Sequence, residues 1–319
     1  MASFASLPFD EQWPIISQVR TILDKRRVLP AHWWEQIRSD PGSLSLISES
    51  LGAGFYDSIQ DEDAANLERS LSSLIGQYRL RQPEIVKVDQ QVNQLALVCK
   101  HDSFLNYTRE RYNLKGLARI YRSVLAGLTS YCDLVQWLER EPDERSVVVD
   151  LCCGTGQISH SLLGKVQCRQ LGLDLSLGML QDGLHSGYLR TSYPCCANVE
   201  QLPLRTRGVD LMMLIFGLDT VEHPRQVLFE IGRVLASEGK LLLVTPLPFR
   251  HSSDGIHFVA PKDRIGPGED WLEDITALAI SLEMVGLRTR RWGVSTYYHC
   301  DIRGLKQSAA FIFLIDRSA

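Results

Sequence analysis

Two acidic side chains each end a short apolar run, and glycines lie between them. A run of valines leads into Asp150, and a second apolar run leads into Asp174, while Gly154 and Gly156 flank a threonine. Glycine lets backbone approach a ligand closely, and the free N–H groups of a following helix attract electronegative atoms. An acid after the second strand of such a fold can accept both hydroxyls of a ribose. These residues predict a nucleoside site, at this point compatible with dinucleotide, flavin or adenosylmethionine.

Two further segments reduce the number of ligands that the site could bind. Asp174 and the residues after it, 174–180, resemble the Asp-x-Ser-x-x-Met-Leu signature of class I S-adenosylmethionine-dependent methyltransferases, with Leu175 and Met179 beside the cofactor. Residues 197–203 resemble a Gly-Asp-Ala-Glu-x-Leu-Pro segment whose Asp contacts the adenine amino group, and Asn198 replaces that Asp here. An amide can accept from the amine and donate to a ring nitrogen, although an asparagine that only forms a turn is the alternative. The resemblance implies S-adenosyl-L-methionine as the cofactor.

The resemblance continues through residues 209–245, which look like the family's fourth strand, helix and post-helix glycine turn. Cys152 stands where a first glycine is common, so a side chain is tolerated at that position. The predicted cofactor site consists of Asp150, Cys152, Gly154, Gly156, Asp174, Leu175, Met179, Asn198, Val199 and Phe216.

The methyl acceptor should lie at the carboxyl ends of the fourth and fifth strands. Leu-Asp at 218–219 precedes a proline-led helix, Leu-Pro-Phe occupies 247–249, Gly-x-x-Trp occupies 268–271, and tyrosines and a cysteine lie within 297–301. Together these resemble the DREV family, the protein-L-histidine N-pros-methyltransferases. The resemblance implies that Asp219 orients an acceptor imidazole as the catalytic residue.

Other interpretations remain open. The family's Asn three residues before the Asp is Phe216 here. Asp219 could instead be a carboxylate that stabilises a helix N-terminus. A small-molecule methyltransferase, with a quinone-like, phenolic or natural-product acceptor, would need an enclosed apolar cavity, whereas a histidine-containing peptide would need an open groove. A third alternative is an interaction module that binds adenosylmethionine without using it.

Hydrophobic periodicity divides the chain near residue 143. Residues 1–142 show helical spacing and predict an all-helical cap or partner domain. Residues 143–319 alternate short β-branched runs with helical stretches, which indicates an α/β fold. We predict a Rossmann-like, seven-stranded methyltransferase sheet whose last two strands, near 288–294 and 309–315, form an antiparallel hairpin.

Composition restricts the partners. The chain has 34 Lys and Arg against 38 Asp and Glu with no long single-sign run, so nothing indicates nucleic-acid binding. No apolar run is long enough for a membrane span, and no signal peptide is recognisable, which predicts a cytoplasmic protein. Adjacent cysteine pairs do not match zinc-site spacing, and His251 and His257 lack a third ligand, so we expect no metal. The acceptor is a protein, a peptide or a small molecule, and the oligomeric state is open.

Overall fold

The computed structural model describes residues 54–57, 64–99, 103–122, 134, 137–138, 142–163, 166–246, 282–301 and 304–317. Its strands are β1 (Gly54–Asp57), β2 (Val147–Leu151), β3 (Arg169–Asp174), β4 (Ser192–Cys196), β5 (Val209–Ile215), β6 (Leu235–Pro246), β7 (Leu287–Asp301) and β8 (Gly304–Arg317). Its helices are α1 (Ala64–Val98), α2 (Phe104–Tyr112), α3 (Leu117–Ile120), α4 (Gln157–Leu163), α5 (Leu177–Ser186) and α6 (Pro224–Val234).

These strands form one sheet in the order β1-β7-β8-β6-β5-β2-β3-β4. All neighbours are parallel except β8, which is antiparallel to both β6 and β7. The predicted α/β sheet with a closing antiparallel hairpin is confirmed. The carboxyl ends of β2, β3, β4 and β5 therefore meet along one edge, where open α/β sheets bind ligands.

An additional strand comes from the half of the chain that the periodicity predicted to be all helical. Residues Gly54–Asp57 pair in parallel with residues 291–294 of β7 at the sheet edge. A four-residue strand is too short to show an alternating pattern, so its pairing with a distant strand decides its conformation. The prediction of helix alone for this half was wrong at these residues.

The core lies on both faces of the sheet because β5 is buried on both. Met212 and Leu214 pack on one face with α6, whereas Met213 and Ile215 pack on the other with Trp137. Near-continuous apolar runs of this kind are typical of parallel strands covered on both sides. The division between the predicted domains, 1–142 and 143–319, stays a prediction.

Helices α1, α2 and α3 precede the sheet domain in the chain. Ile85 and Val88 of α1 pack against Leu117 and Ile120 of α3. Helix α2 begins at an N-cap serine, Ser103, whose side chain accepts from the backbone N–H of Asn106. Among the helices described, none combines the length and the apolar character that a membrane crossing requires.

Candidate functional site

The glycine loop that follows β2 contains three residues with a left-handed backbone conformation. Cys152, Gly154 and Gly156 have φ of 54°, 56° and 73°. A Cβ placed on Gly154 would find only Tyr121 Cε1, at 3.9 Å, so its surroundings are open. Glycine is needed there for the backbone conformation, whereas Cys152 adopts the same region with a side chain at a cost. Backbone strain of this kind concentrates at functional sites.

Asp174 connects the glycine loop to the start of α5. Its Oδ2 accepts from the backbone N–H of Gly154 at 2.8 Å, and its Oδ1 accepts from the backbone N–H of Ser176 at 2.8 Å. Burial raises the pKa of Asp174, although these backbone hydrogen bonds oppose the rise. A third backbone hydrogen bond comes from Leu175, and since a carboxylate has about four acceptor sites, it can still accept from a ribose hydroxyl.

Asp150 lies beneath the loop and is only 7% exposed. Burial raises the pKa of Asp150 to about 7, a hydrogen bond from Ser159 lowers it, and the negative charge of Asp174 raises it further. Although the sequence predicted that Asp150 binds cofactor, its side chain does not line the cleft described below. A direct contact between Asp150 and the cofactor therefore stays a prediction.

Gly156 also lies away from the cleft. A Cβ at this position would come within 2.8 Å of Leu189 Cγ and even closer to Leu189 Cδ2. Cβ atoms on Gly172 and Gly183 would likewise meet Leu189, at 3.3 and 2.7 Å. The Leu189 side chain therefore occupies space that three glycines leave open, and Gly156 serves the packing of the loop against its surroundings.

A cleft follows the carboxyl ends of the central strands and has an empty volume of about 630 Å³, part of which is solvent outside its mouth. Eight of the ten predicted cofactor residues line it, and Asp150 and Gly156 do not. The structure thus brings these residues together: Cys152, Gly154, Asp174, Leu175, Met179, Asn198, Val199 and Phe216. Phe216 directly follows β5 and has a φ of 56°, so it is a second non-glycine residue at this rim with a left-handed backbone.

Asn198 lines the cleft and also forms a turn. Its Oδ1 accepts from the backbone N–H of Glu200 at 2.9 Å, which fits the turn interpretation, and its contact with an adenine amine stays a prediction. Glu200 in turn accepts from the backbone N–H groups of Glu222 and His223 and pairs with His223 Nδ1 at 2.9 Å. The loop before α6 is therefore anchored to the loop after β4.

Helix α2 covers the cleft with one face. Leu105, Thr108, Arg109 and Tyr112 all line it, at the i, i+3, i+4 and i+7 spacing of a single helical stripe. Of these four residues, the sequence indicated only Tyr112, as one of several aromatics that could either cover the cofactor or substrate or pack between helices; Leu105, Thr108 and Arg109 were not predicted. The stripe was visible in the sequence, but nothing local indicates which surface it faces.

Both ends of α2 form hydrogen bonds with loops that contain residues of the site. At the first turn, the backbone N–H of Leu105 donates to Glu222 Oε2 at 3.2 Å, and Thr108 Oγ1 donates to the Thr220 carbonyl at 3.4 Å. At the last turn, the carbonyl oxygen of Tyr112 lies 3.0 Å from Ser176 Oγ. The helix therefore spans from the rim of β5 to the rim of β3.

The aromatic residues of α2 divide between cleft and core. Tyr112 lines the cleft beside Tyr121, with ring centroids 6.4 Å apart in an edge-on contact. Tyr107 is 8% exposed and packs against Phe104. Tyr112 thus covers the cleft, and Tyr107 serves helix packing.

Asp219 lies in a short 3-10 helix, Leu218–Thr220, at the β5 rim. The cleft is lined by its neighbour Thr220, not by Asp219 itself. Burial lowers the pKa of Arg111, but Tyr112, Tyr107 and Asp219 raise it by more, which places Asp219 in the electrostatic environment of this arginine. Since α6 begins five positions later, at Pro224, Asp219 does not cap that helix.

The cleft thiol is protonated at neutral pH. Burial raises the pKa of Cys152 well above its usual value, and the carboxylates of Asp174 and Asp150 raise it further. Because the thiolate is the reactive form, Cys152 is a poor nucleophile. Within the described ranges, no group of three His, Cys, Asp or Glu could hold a metal ion, and His251 and His257 lie outside those ranges.

The DREV-like segments at 247–249 and 268–271 also lie outside the described residues. Residues 297–301 form the end of β7, whose backbone alone is described there. Of the segments that resemble the DREV family, the one around Asp219 is therefore the segment described with its side chains.

Comparison with known proteins identifies the central segment. Residues 149–243 match the family model of a methyltransferase domain. Malonyl-[acyl-carrier protein] O-methyltransferase of Alcanivorax borkumensis is 39% identical over 31% of this chain and 34% of its own length. The ubiquinone/menaquinone biosynthesis C-methyltransferase UbiE of a Ruegeria species is 28% identical over 35% of this chain and 46% of its own.

The chain thus spans half or less of the length of the curated relatives it matches. Among solved structures, phosphoethanolamine N-methyltransferase 2 of Haemonchus contortus is 10% identical with a TM-score of 0.50, covering 66% of this chain and 60% of that one. This likeness concerns the fold. Residues 149–243, at the centre of this sheet, are therefore similar in sequence to a methyltransferase domain.

Proposed function

We propose that this chain is an S-adenosylmethionine-dependent methyltransferase whose acceptor is a small molecule or a small group carried on another molecule. The observation that carries the proposal is the cleft itself. Its floor is formed by the carboxyl ends of β2, β3 and β5, and its roof is the stripe of α2 that begins at Leu105 and ends at Tyr112. A cleft roofed by a helix suits an enclosed acceptor better than an extended peptide.

The residues present fit the cofactor. Asp174 can still accept from a ribose hydroxyl, and the left-handed Gly154 leaves the floor open. Leu175, Met179 and Val199 supply apolar walls of the kind an adenine ring requires. Bound adenosylmethionine would supply an activated methyl group, so the protein's part is to orient the acceptor and exclude water.

The small acceptor is the alternative that the relatives favour over a histidine side chain. Those named above act, by their names, on malonyl-[acyl-carrier protein] and in ubiquinone and menaquinone biosynthesis. None of them is a histidine methyltransferase. Phe216, where the histidine-modifying family has an Asn, lines the cleft as an apolar wall, which agrees with this choice.

Two measurements test the proposal. Calorimetry should detect binding of adenosylmethionine and adenosylhomocysteine, and Asp174→Ala should weaken it by about 2 kcal/mol, the cost of losing hydrogen bonds to a charged group. Failure of the wild type to bind either ligand at millimolar concentration would remove the enzyme hypothesis.

The acceptor is tested with labelled adenosylmethionine in a cell lysate, fractionated into protein and small molecules. We expect label in the small-molecule fraction, or on a protein in a form that mild base or thioester cleavage releases. Label found by mass spectrometry on a protein histidine would instead support the DREV-like interpretation. Cofactor binding with no transfer to either fraction would favour a non-catalytic module.

A further inference from the structure

Asn113 is the C-cap of α2, and its side chain reaches across to α5. Its backbone N–H donates to the carbonyls of Arg109 and Arg111, which holds it in an α conformation. Its Oδ1 accepts from Ser176 Oγ at 2.9 Å and from the backbone N–H of Gly178 at 3.0 Å. One amide oxygen therefore connects the roof of the cleft to the N-terminus of α5.

Ser176 is the junction of this contact. It is 1% exposed and is the N-cap of α5, where its Oγ accepts from the backbone N–H of Met179 at 3.1 Å. Its hydroxyl proton is shared between Asn113 Oδ1 and the Tyr112 carbonyl, both belonging to the end of α2. Its backbone N–H donates to Asp174 Oδ1 at 2.8 Å.

The chain of hydrogen bonds therefore runs from Asn113 through Ser176 and Asp174 to the backbone of Gly154. Every link joins a different element: the end of α2, the start of α5, the end of β3 and the glycine loop. Within the described part of the chain, the hydrogen bonds that orient the Asp174 carboxylate come from backbone N–H groups, those of Gly154, Leu175 and Ser176.

We infer that Asn113 is a positioning residue, which couples closure of α2 to the orientation of the Asp174 carboxylate that receives the ribose. The inference rests on the proposed cofactor site. When α2 is seated, Asn113 holds Ser176, and Ser176 holds one oxygen of Asp174 at the cleft. Because binding couplings are reciprocal, an occupied cofactor site must stabilise the seated α2 by the same free energy.

A purely structural helix cap would behave differently. Loss of a cap lowers the stability of the fold but leaves ligand affinity of the folded protein unchanged. Loss of a positioning contact weakens the cofactor and also removes the stabilisation of α2 by the cofactor. The two roles are therefore separated by affinity and by amide exchange within residues 104–113.

The test compares Asn113→Ala with Asn93→Ala, a matched asparagine whose amide bonds Asp89 within α1, at an exposed position away from the cleft. Calorimetry with adenosylhomocysteine should show about fivefold weaker binding for Asn113→Ala, the equivalent of one hydrogen bond. Hydrogen exchange should show that the ligand protects amides 104–113 in the wild type and in Asn93→Ala, and protects them less in Asn113→Ala.

Two variants keep the inference testable if the alanine variant fails to fold. Asn113→Asp retains an oxygen acceptor for both donors and should bind within about threefold of the wild type. Asn113→Gln keeps the amide but moves it by one methylene, so it should bind more weakly than Asn113→Asp.

The outcomes are distinct from those of the proposed function. If the wild type binds adenosylhomocysteine and Asn113→Ala binds it equally with equal protection of α2, Asn113 is only a cap and the inference is overturned. If the wild type does not bind, the inference falls together with the proposed function.

Discussion

Gly217 lies directly against the side chain of Cys152. A Cβ on Gly217 would stand 2.6 Å from Cys152 Cβ and 2.9 Å from its Sγ. The two residues follow neighbouring strands, β2 and β5, and Cys152 is held at a φ of 54°. The absence of a side chain at 217 therefore makes room for a cysteine in the position where a glycine would be the conformationally easy choice.

This contact predicts strong coupling between two substitutions. Gly217→Ala should lower the free energy of unfolding by about 1–3 kcal/mol, the usual cost of inserting a methyl group into a filled space. In a Cys152→Gly background the same change should cost less, by at least about 1 kcal/mol, because the Cys152 side chain is gone, although the contact with Leu214 Cδ1, at 2.8 Å, remains. Urea denaturation of the four proteins measures the coupling, and additive costs would show that the clash is relieved elsewhere.

Asp150 predicts a pH dependence of stability. Its pKa in the folded protein is raised to about 7, mainly by burial, so the folded state keeps a proton that the unfolded chain loses near pH 4. The stabilising contribution of this group is complete below about pH 4 and is lost as the pH rises to about 7, on the order of 4 kcal/mol in total.

Asp150→Asn should remove that slope, because an amide does not titrate. The free energy of unfolding, measured in urea from pH 4 to pH 8, should fall with pH in the wild type and fall less in the variant. Asp174, whose pKa burial also raises, contributes in the same direction and remains in both proteins. Identical slopes in the two proteins would mean that Asp150 is already ionised in the folded state.

Gly156 is predicted to matter for packing rather than for ligand contact. Gly156→Ala combines a left-handed backbone with a collision against Leu189, which is 1% exposed. We expect a loss of stability of about 2 kcal/mol or more. Adding Leu189→Ala to Gly156→Ala should recover part of the lost stability. Thermal unfolding of the single and double variants measures this recovery.

The affinity of the folded Gly156→Ala protein for adenosylhomocysteine should change less than that of Asp174→Ala. A loss of affinity as large as that of Asp174→Ala, in a protein of normal stability, would return Gly156 to the cofactor-contacting residues.

Asp219 stays a predicted catalytic residue, and its test must separate a role in turnover from an electrostatic effect on Arg111. Asp219→Ala should leave cofactor affinity within about twofold and reduce turnover of the identified acceptor by at least tenfold, on the scale of a lost orienting group. Asp219→Ala also removes a negative charge near the half-buried Arg111. Lost stability with normal turnover would show that Asp219 serves Arg111 instead of the acceptor.

Local patterns were sufficient for the framework of the site. The run Val209–Ile215, the proline at the start of α6 and the closing hairpin were each readable, because strand and helix signals depend on neighbouring residues. Asp174 and Asn198 were predicted for the same reason, since Asp174 ends β3 and Asn198 lies two residues beyond the end of β4.

Other features depended on contacts between residues far apart in the chain. The sequence predicted helical structure for residues 1–142, but only the tertiary structure decided that the helix at 104–112 roofs the cleft with one face. It also decided that Asp150 is buried beneath the loop and that Gly156 faces Leu189. The physical reason is that burial and hydrogen-bond partners are set by elements that converge in space, as when Asn113 meets Ser176 across 63 positions of sequence.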